Sequence, residues 1–419
     1  MARLNPLRGL RYNPEHVKLG GVLAPPYDVI TPDQQAALYG RNLRNIVRVD
    51  FGQELPGDEP GVNDRYIRAA GFLESWLELG VLVQDPEASL YVTEHEFADA
   101  VTGAPARRRG VIGTVAAVPW EQSELRPHER TLAAPKEDRL ALLRALRVQT
   151  SPVFALWSDG GDVAAVLERV AQRPAAQGGR TDGEMGSEKH LLWAVSGAEA
   201  EAVREALRGA RLYVADGHHR YETAVAYAEE RRRAEPHVPA GAAFEQCLVY
   251  LAAADDPALA ILPTHRLLRP GHGVAFSIDD LWARLDDAWE VAPAESSDAA
   301  LAAAGSRHSS HHAFVVADRD GVALLTRERR RATSPRSGLD VVVLEQEVLI
   351  PAGVSQDAIA GGALGFTRDL EELQRAVRSG EAVLGFGVLP VYTAELIAVA
   401  NAGETMPQKS TYFYPKVPT

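Results

Sequence analysis

Cysteine is almost absent from this chain. Cys247 is the only cysteine among 419 residues, so neither an internal disulfide nor a thiolate zinc site can form. The start, MARLNPLRGLRYNPEH, lacks the apolar segment of a secretory signal peptide, and no apolar run approaches the roughly 20 residues that span a bilayer. The sequence therefore predicts a cytoplasmic protein that does not associate with a membrane.

Positive charge is also scarce. Lysine and arginine total 44 residues against 57 aspartates and glutamates, which gives a formal net charge of −13. A protein that binds nucleic acid over an extended surface normally has a basic domain or stripe, whereas here arginines cluster only in triplets such as 107–109 and 231–233. Nucleic acid is therefore disfavoured as a partner, although a local basic pocket is allowed.

Several familiar catalytic motifs are missing. The sequence has no G-x-S-x-G elbow, no H-E-x-x-H helix and no G-x-G-x-x-G between a strand and a helix, which excludes the common hydrolase, zinc-protease and Rossmann signatures. Residues 409–411, Lys-Ser-Thr, resemble the end of a Walker A loop, but the required preceding glycines are absent. A P-loop is therefore excluded as well.

What is present is an alternation of strand-like and helix-like segments. Helical spacing of apolar residues predicts helices over 63–82, 137–147, 199–209 and 218–235. Apolar runs predict strands over 89–97, 109–118, 152–157, 190–196 and 211–215. The glycine-rich stretch 174–188 is predicted to be a surface loop. This alternation predicts a mixed α/β protein of the α+β class.

The length of the chain exceeds that of a usual single domain. We expect an N-terminal α+β region over 1–120, a central α/β region over 121–270, and a C-terminal α+β region over 271–419 that packs back on the core. The second boundary follows from a tract after residue 269 that is richer in Ala, Gly, Asp and Ser.

The stretch VADGHHRYETA at 214–224 places three side chains that can carry positive charge, two histidines and an arginine, between a predicted strand and a predicted helix. Their presence there calls for a structural or a functional explanation. Asp216 could cap the helix, with Gly217 making the tight entry. His218, His219 and Arg220 would then lie in the first helical turn, where the macrodipole disfavours positive charge by roughly 0.3–1 kcal/mol. Free amides at a helix start bind anions, and an arginine can fork onto phosphate oxygens. These residues therefore predict a bound phosphate.

A metal ion is the alternative ligand of this stretch. The side chains of adjacent histidines on a helix point about 100° apart, so His218 and His219 cannot easily share one ion. His218 pairs better with Glu222, four residues further on. In this interpretation Asp216 and Glu222 are the carboxylates that hold the metal.

Two more polar stretches in the N-terminal half could supply an acid or a base. Asp28, in APPYDVITPDQ, is a candidate general base or magnesium ligand, or else part of a turn before a helix that begins at Thr31 and Pro32. His128 and Glu129, in RPHERTLAAPKEDRL, are a candidate acid–base pair.

A basic clamp for an anion has five candidates elsewhere in the chain. Lys136 and Arg139 follow the His128–Glu129 pair, although a solvated surface loop explains that stretch without function. His265 and Arg266 interrupt the apolar run LPTHRLL, where we expect them to line a cavity rather than a strand end. The tail MPQKSTYFYPK is too aromatic for a disordered terminus, and ligand contact by Lys409 is a hypothesis.

Seven ordered motifs together resemble a widespread bacterial family that is defined as a domain of unknown function. They are RGLRYNP, APPYDVI, RPHERT, KEDRL, ADGHHRYETA, LPTHRLL and MPQKSTYFYPK, and they extend over essentially the whole chain. ADGHHR in turn resembles the phosphate-binding turn of the ParB-like and sulfiredoxin-like superfamily, in which a G-x-x-R turn at a helix start holds nucleotide phosphates. Gly217 and Arg220 occupy the two defining positions.

The second resemblance implies a ParB/sulfiredoxin-like core elaborated by an additional sheet and helices. Its members include CTP-dependent partition proteins, sulfiredoxin and nucleotide-dependent free serine kinases. The acidic net charge disfavours DNA partitioning, and histidines stand where sulfiredoxin has its cysteine, which disfavours sulfinate repair.

We therefore expect an enzyme, a nucleotide-dependent phosphotransferase resembling the serine kinases, that acts on a small hydroxylated metabolite with ATP or another nucleotide and Mg²⁺ as cofactors. Its catalytic candidates are Asp28, His128, Glu129, Asp216, His218 and His219. Its phosphate-binding candidates are Gly217, His218, His219, Arg220, Lys136, Arg139, His265, Arg266 and Lys409. The alternatives are a non-catalytic nucleotide-binding regulator and a metal-dependent phosphoesterase or nuclease. If these candidates belong to a single active site, Asp28, His128, Arg220 and His265 should meet in one cleft. The sequence predicts no oligomeric state.

Overall fold

The structure is a computed structural model that describes residues 3–129, 133–271 and 277–419. In chain order its strands are β1 Leu10–Tyr12, β2 Leu82–Gln84, β3 Leu90–Ala98, β4 Pro105–Ala116, β5 Leu125–Arg126, β6 Val153–Ser158, β7 Gln177–Gly183, β8 Gly186–Val195, β9 Arg211–Asp216, β10 Gln246–Ala253, β11 Ala260–Leu262, β12 His265–Leu268, β13 Glu290–Pro293, β14 His311–Ala317, β15 Val322–Glu328, β16 Leu364–Thr367, β17 Leu384–Gly387 and β18 Tyr412–Tyr414.

The α-helices are α1 Pro32–Arg41, α2 Val47–Asp50, α3 Arg65–Glu78, α4 Ala133–Leu146, α5 Val163–Ala171, α6 Gly197–Leu207, α7 His218–Ala234, α8 Ile278–Trp282, α9 Ser297–Arg307, α10 Asp340–Val343, α11 Gln356–Ala360, α12 Leu370–Ser379 and α13 Thr393–Asn401. Short 3-10 turns lie at Leu19–Gly21, Tyr27–Val29, Trp120–Gln122, Ala243–Glu245 and Arg336–Gly338, and a π-helical turn lies at Leu344–Leu349. The predicted mixed α/β class is confirmed.

The chain divides into two compact units. The first comprises Met1–Pro127, Thr131–Ala260 and Phe413–Thr419, and the second comprises His128–Arg130 and Ile261–Tyr412. The three regions expected from the sequence, over 1–120, 121–270 and 271–419, stay a prediction, and so does the ParB/sulfiredoxin-like identity of the core.

An eight-stranded sheet in the order β5-β9-β6-β10-β4-β3-β8-β7 is the centre of the first unit. β10 runs parallel to β6, and β5 runs parallel to β9, whereas the other neighbours are antiparallel. The inner strand β6 is buried without interruption from Val153 to Trp157, as expected for a strand that is covered on both faces of the sheet. This continuous burial explains why β6 reads as an unbroken apolar run in the sequence.

Helix α3 shows how the sequence pattern sets a local element of this unit. The Asp64 carboxylate accepts hydrogen bonds from the amides of Tyr66 and Ile67 and caps the helix. Ala69, Leu73 and Trp76 form its buried face, in agreement with the predicted apolar stripe. The helix over 63–82 is thus confirmed with slightly tighter bounds.

The predicted surface loop over 174–188 is wrong. This stretch forms most of a β7–β8 hairpin, with Gly183 paired to Gly186 across a two-residue turn. β7 lies at the edge of the sheet, where its residues alternate between exposed and half-buried positions. Its glycines and polar residues are compatible with an exposed edge strand, which composition alone did not distinguish from a loop.

The second unit is built on a six-stranded sheet in the order β13-β15-β14-β17-β12-β16. The sequence Asp-Arg-Asp-Gly at 318–321 is typical of a hairpin turn. β14 and β15 form this hairpin, and the Asp318 carboxylate accepts hydrogen bonds from the amides of Asp320 and Gly321. Helices α9 and α12 pack apolar side chains against this sheet.

In the described part of the chain, no helix is both long enough and apolar enough to cross a membrane. The cytoplasmic location stays a prediction.

Candidate functional site

The segment 211–220 comprises the whole of strand β9, a one-residue turn and the start of a long helix. β9 ends at Asp216, Gly217 follows with a φ of 96°, and α7 begins at His218. A positive φ favours glycine, and a Cβ atom on Gly217 would lie only 2.8 Å from Nε of Arg220. Glycine therefore permits both the turn and the close approach of the arginine side chain to the backbone.

Asp216 does not cap α7, contrary to the expectation from the sequence. Gly217 occupies the N-cap position, so the N-cap supplies no side-chain hydrogen bond to the first-turn amides. The Asp216 carboxylate instead accepts a hydrogen bond of 2.6 Å from Arg220 Nη2, and Lys416 Nζ lies 3.1 Å from its other oxygen. Two cations engage this carboxylate, and one of them comes from the far end of the chain.

Electrostatics keep Asp216 ionised. Burial by itself would raise the pKa of this carboxyl, but attraction to Lys416 and Arg220 outweighs burial and holds the pKa well below its usual range. Burial would lower the pKa of Arg220, but Asp216, Asp28 and Asp50 raise it above its usual value. Arg220 also donates a hydrogen bond to the carbonyl oxygen of Pro152. The turn therefore carries fixed charges at neutral pH.

A second cluster of charged side chains shares a cavity with Arg220. Arg139 Nη1 donates to the carbonyl oxygen of Asp50 at 2.9 Å, and the Arg139 guanidinium lies 4.0 Å from the centre of the Tyr27 ring. These residues, Arg220 and Thr223 line a cavity of about 40 Å³. Among the described residues, the buried hydroxyl of Thr223 has no hydrogen-bond partner. The cavity therefore has room and a polar group for a small ligand atom or water.

The two histidines of the turn differ in exposure, since His218 is buried and His219 is half-buried. Glu222 on the same helix lies 2.6 Å from Lys136 Nζ. A metal ion bound by Asp216 and Glu222 would have to displace a cation from each carboxylate. Metal binding by this pair stays a prediction.

Asp28 lies in the first unit, exposed, on the 3-10 turn Tyr27–Val29. The predicted helix start that follows is confirmed, because Thr31 caps α1 and Pro32 is its first residue. Asp28 is close enough to Arg220 to raise the pKa of the guanidinium. The structure thus brings Asp28, Arg139, Asp216 and Arg220 into one unit with Lys136 and the two histidines of the turn.

The other predicted site residues lie in the second unit. His128 is buried, and its Nε2 lies 3.1 Å from the Thr411 hydroxyl. The Glu129 carboxylate accepts a hydrogen bond of 3.2 Å from the amide of Lys409. Residues 130 and 131 of the motif RPHERT lie outside the described ranges.

His265 and Arg266 on β12 are both buried. His265 Nδ1 accepts a hydrogen bond of 3.2 Å from the amide of Val388, and burial lowers the pKa of this imidazole to about 4. Burial also lowers the pKa of Arg266 to about 10, against attraction from Glu345 and Glu129. Asp28 and Arg220 belong to the first unit, whereas His128 and His265 belong to the second, so their convergence on one cleft stays a prediction.

Sequence reasoning missed a cluster in the first unit that consists of the buried His95 and Glu188 and the half-buried His190. His95 Nε2 lies 2.7 Å from Glu188 Oε2, and burial lowers the pKa of both histidines to about 3. The contact is therefore a hydrogen bond to a neutral imidazole rather than an ion pair. No local sequence pattern predicts this cluster, because His95 and His190 become neighbours only through the pairing of β3 with β8.

Comparison with solved structures finds remote likenesses. A conserved hypothetical protein from Pyrococcus furiosus is 12% identical over 73% of this chain and 92% of that one, with a TM-score of 0.36. A free serine kinase in complex with AMP is 11% identical over 72% of this chain and 86% of that one, with a TM-score of 0.37. SbnI with a C-terminal truncation, from Staphylococcus aureus, is 11% identical over 73% of this chain and 84% of that one, with a TM-score of 0.34. Likenesses this remote carry no argument about activity.

No curated protein matches the chain. A family model does match, over residues 4–342, and its description is protein of unknown function (DUF1015). This match spans most of the sequence and includes the turn at 216–220. The chain therefore belongs to the DUF1015 family.

Proposed function

We propose that the turn between β9 and α7 binds a phosphate group of a nucleotide, and that the protein is a phosphotransferase acting on a small hydroxylated metabolite such as serine. The observation that carries the proposal is the arrangement around Asp216. One carboxylate there faces two cations, Arg220 and Lys416, at the start of a helix whose N-cap is glycine.

This arrangement suits a phosphate for two physical reasons. The amides at the start of α7 lie at the positive end of the helix dipole, which favours an anionic oxygen ligand. Arg220 and Lys416 are positively charged hydrogen-bond donors, which can exchange part of their contact with Asp216 for contact with phosphate oxygens. Gly217 lets that oxygen approach the backbone.

The small cavity beside Arg220 supports the same assignment independently. Thr223, whose buried hydroxyl has no hydrogen-bond partner among the described residues, lines the cavity together with Tyr27 and Arg139. At about 40 Å³ the cavity accommodates a water molecule or a ligand atom rather than a whole nucleotide. We therefore assign it to the inner end of the phosphate site, and the rest of the nucleotide to the surface outside.

In phosphoryl transfer, catalysis consists mainly of positioning and charge neutralisation. Arg220 and the first-turn amides would hold the phosphates, and His218 or His219 would contact the transferred group. Asp28 is the candidate base in this unit because it is exposed and close to Arg220. Mg²⁺, if the nucleotide brings one, would be held by Asp216 or Glu222.

Nucleotide binding is tested by the melting temperature of the full chain with ATP, ADP or CTP, each with Mg²⁺. Lys416→Met retains the pair between Asp216 and Arg220, so this variant should fold and bind nucleotide at least about 10-fold more weakly. Arg144→Met is the matched control, because Arg144 binds Glu230 on the same helix α7 but far from its start. The control should bind nucleotide as the wild type does.

Turnover is tested by incubating the protein and ATP with pooled hydroxylated metabolites and following phosphate transfer by phosphorus NMR. A phosphorylated metabolite and a new nucleoside diphosphate support the proposal. Stabilisation by nucleotide without transfer would identify a nucleotide-binding regulator and overturn the enzymatic assignment. Absence of stabilisation by any nucleotide would overturn both.

A further inference from the structure

His95, Glu188 and His190 lie together on two neighbouring strands of the first unit. His95 on β3 is directly opposite His190 on β8, and their ring centres are 4.2 Å apart. Glu188 precedes His190 by two residues, so both side chains leave the same face of β8. A Cβ atom on Gly183 would lie 1.8 Å from Glu188 Oε1. Glycine at position 183 therefore leaves the room that the carboxylate occupies.

The distances within this cluster are those of a set of metal ligands. Glu188 Oε2 lies 2.7 Å from His95 Nε2 and 3.8 Å from His190 Nε2. One ligand atom from each residue lies within 4.8 Å of the other two. Since metal–ligand bonds of about 2.0–2.1 Å place neighbouring ligand atoms roughly 3.0–3.4 Å apart, modest side-chain rotation completes the geometry.

We propose that His95, Glu188 and His190 bind a divalent transition-metal ion. Two imidazoles and one carboxylate are a ligand set of catalytic zinc and of non-haem iron, and this set leaves coordination positions open for water or a substrate. The site is distinct from the phosphate-binding turn and does not depend on it.

The open positions of the ion would face a large cavity. His95 and His190 line a cavity of about 960 Å³ within the first unit, together with Tyr91, Arg108 and Tyr250. This volume is in the range of sites for small-molecule ligands. A metal ion on its wall would therefore be accessible to a bound molecule.

Arg108 indicates the charge of that molecule. Its guanidinium is completely buried, and within the described ranges it donates hydrogen bonds only to neutral oxygens, the Tyr250 hydroxyl and the carbonyls of Tyr414 and Pro415. Arg108 is opposite His95 in the pairing of β3 with β4, and His190 is opposite His95 in the pairing of β3 with β8. The cation and two of the proposed metal ligands are therefore neighbours across the sheet. A dication beside a buried arginine favours an anionic ligand, such as a small carboxylate, that can reach both.

A purely structural hydrogen-bond network is the competing explanation of the cluster, and the second unit contains an example of one. There His312 Nδ1 lies 2.7 Å from the Asp340 carboxylate, but Arg329 Nη2 donates to the same oxygen at 2.7 Å. The arginine already supplies the cation that the carboxylate needs. Glu188 has only imidazole and more distant charge around it, which is why we assign a metal to the first cluster and not to the second.

The test is metal binding by the full chain, expressed without a histidine tag and stripped with a chelator. Titration with Co²⁺, followed by visible absorption, and with Zn²⁺, followed by calorimetry, should each show one equivalent bound. Glu188→Gln and His190→Gln should weaken binding at least about 100-fold, while circular dichroism shows a retained fold. Glu188→Gln conserves side-chain volume and a hydrogen-bond partner for His95. His312→Gln is the matched control and should bind metal as the wild type does.

The open coordination position is tested by adding azide or acetate to the Co²⁺-loaded protein. Either anion should shift the visible spectrum, and Arg108→Met should weaken that anion affinity at least about 10-fold while leaving one equivalent of Co²⁺ bound. Failure of the wild type to bind metal, or equal binding by Glu188→Gln, would overturn the metal site. A spectrum insensitive to both anions would overturn its opening into the cavity.

Discussion

Replacement of Asp216 by asparagine tests the charge arrangement at the turn. The Asp216 side chain is 21% exposed, and those of Arg220 and Lys416 are each 10% exposed. A unit charge about 4 Å away from the carboxylate contributes about 4 kcal/mol of attraction at an effective dielectric constant near 20. Desolvation of the three groups offsets much of the attraction that the two cations provide together. Breaking a buried pair by removing one partner costs roughly 3–5 kcal/mol. The asparagine oxygen still accepts one hydrogen bond, so we expect Asp216→Asn to lower the free energy of unfolding by about 3 kcal/mol.

Urea unfolding at several pH values measures this loss. The folded pKa of Asp216 lies below its usual 3.8, so the carboxylate stabilises the fold fully above that value, and the stabilisation is lost as the pH falls through the lower folded pKa. The difference between wild type and Asp216→Asn should therefore be greatest at pH 5–7 and shrink in stronger acid. Asp159→Asn is the control, because Asp159 and Arg211 pair with about half of each side chain exposed. We expect this exposed pair to contribute less than about 1 kcal/mol.

Two results would refute this account of the turn. One is an Asp216→Asn loss no larger than the Asp159→Asn loss, which would mean that the two cations do not depend on the carboxylate. The other is a difference that grows as the pH falls, which would require the folded pKa of Asp216 to be raised. Inorganic phosphate should stabilise Asp216→Asn more than the wild type, because Arg220 and Lys416 then lack their carboxylate.

Three further substitutions test the fold around these sites. Gly217→Ala should destabilise the protein by roughly 1–3 kcal/mol in urea and abolish nucleotide binding. Gly57→Ala is its control, because Gly57 has a similar φ of 89° but no atom near the position of an added Cβ, and it should show only the backbone strain. Gly110→Ala places a Cβ atom 2.5 Å from a backbone oxygen of β10 and should cost at least about 2 kcal/mol by the same assay. Because burial lowers the pKa of His265 to about 4 from 6.5, the wild type should lose about 3 kcal/mol of stability as the pH falls through that window. His265→Asn should lose correspondingly less, and an unchanged pH dependence would contradict the assignment.

The turn was predictable from the sequence because its signals are local. A strand, a glycine with positive φ and a helix follow one another in VADGHHRYETA, and the structure has them in that order. The role of Asp216 was not predictable in the same way. A local pattern favours capping, but the carboxylate turns to Arg220 and to Lys416, whose proximity depends on the path of the whole chain.

Register explains the other failures of sequence-based prediction. His95 and His190 stand in stretches that read as ordinary strands, and only the β3–β8 alignment places them opposite each other. A shift of one residue would send the two histidines to opposite faces of the sheet. The glycine-rich strand β7 was equally unpredictable from the sequence, because it is stabilised by its hydrogen-bond ladder with β8 rather than by the strand preferences of its own residues.

Two arginines of the first unit, the buried Arg108 and the partly buried Arg220, differ in how their charge is balanced, and this difference separates the two proposed sites. Arg220 faces the Asp216 carboxylate at 2.6 Å, so a phosphate at the turn would have to compete with a group that is already present. Among the described residues Arg108 donates hydrogen bonds only to neutral acceptors, and its charge acts on the Glu188 carboxyl only from a greater distance. A buried cation that is not directly paired with a carboxylate is costly. An anion entering the large cavity would therefore gain more from Arg108 than a phosphate gains from Arg220 alone. For this reason the turn needs its helix amides and Lys416 as additional donors, whereas the cavity needs only a metal ion beside Arg108.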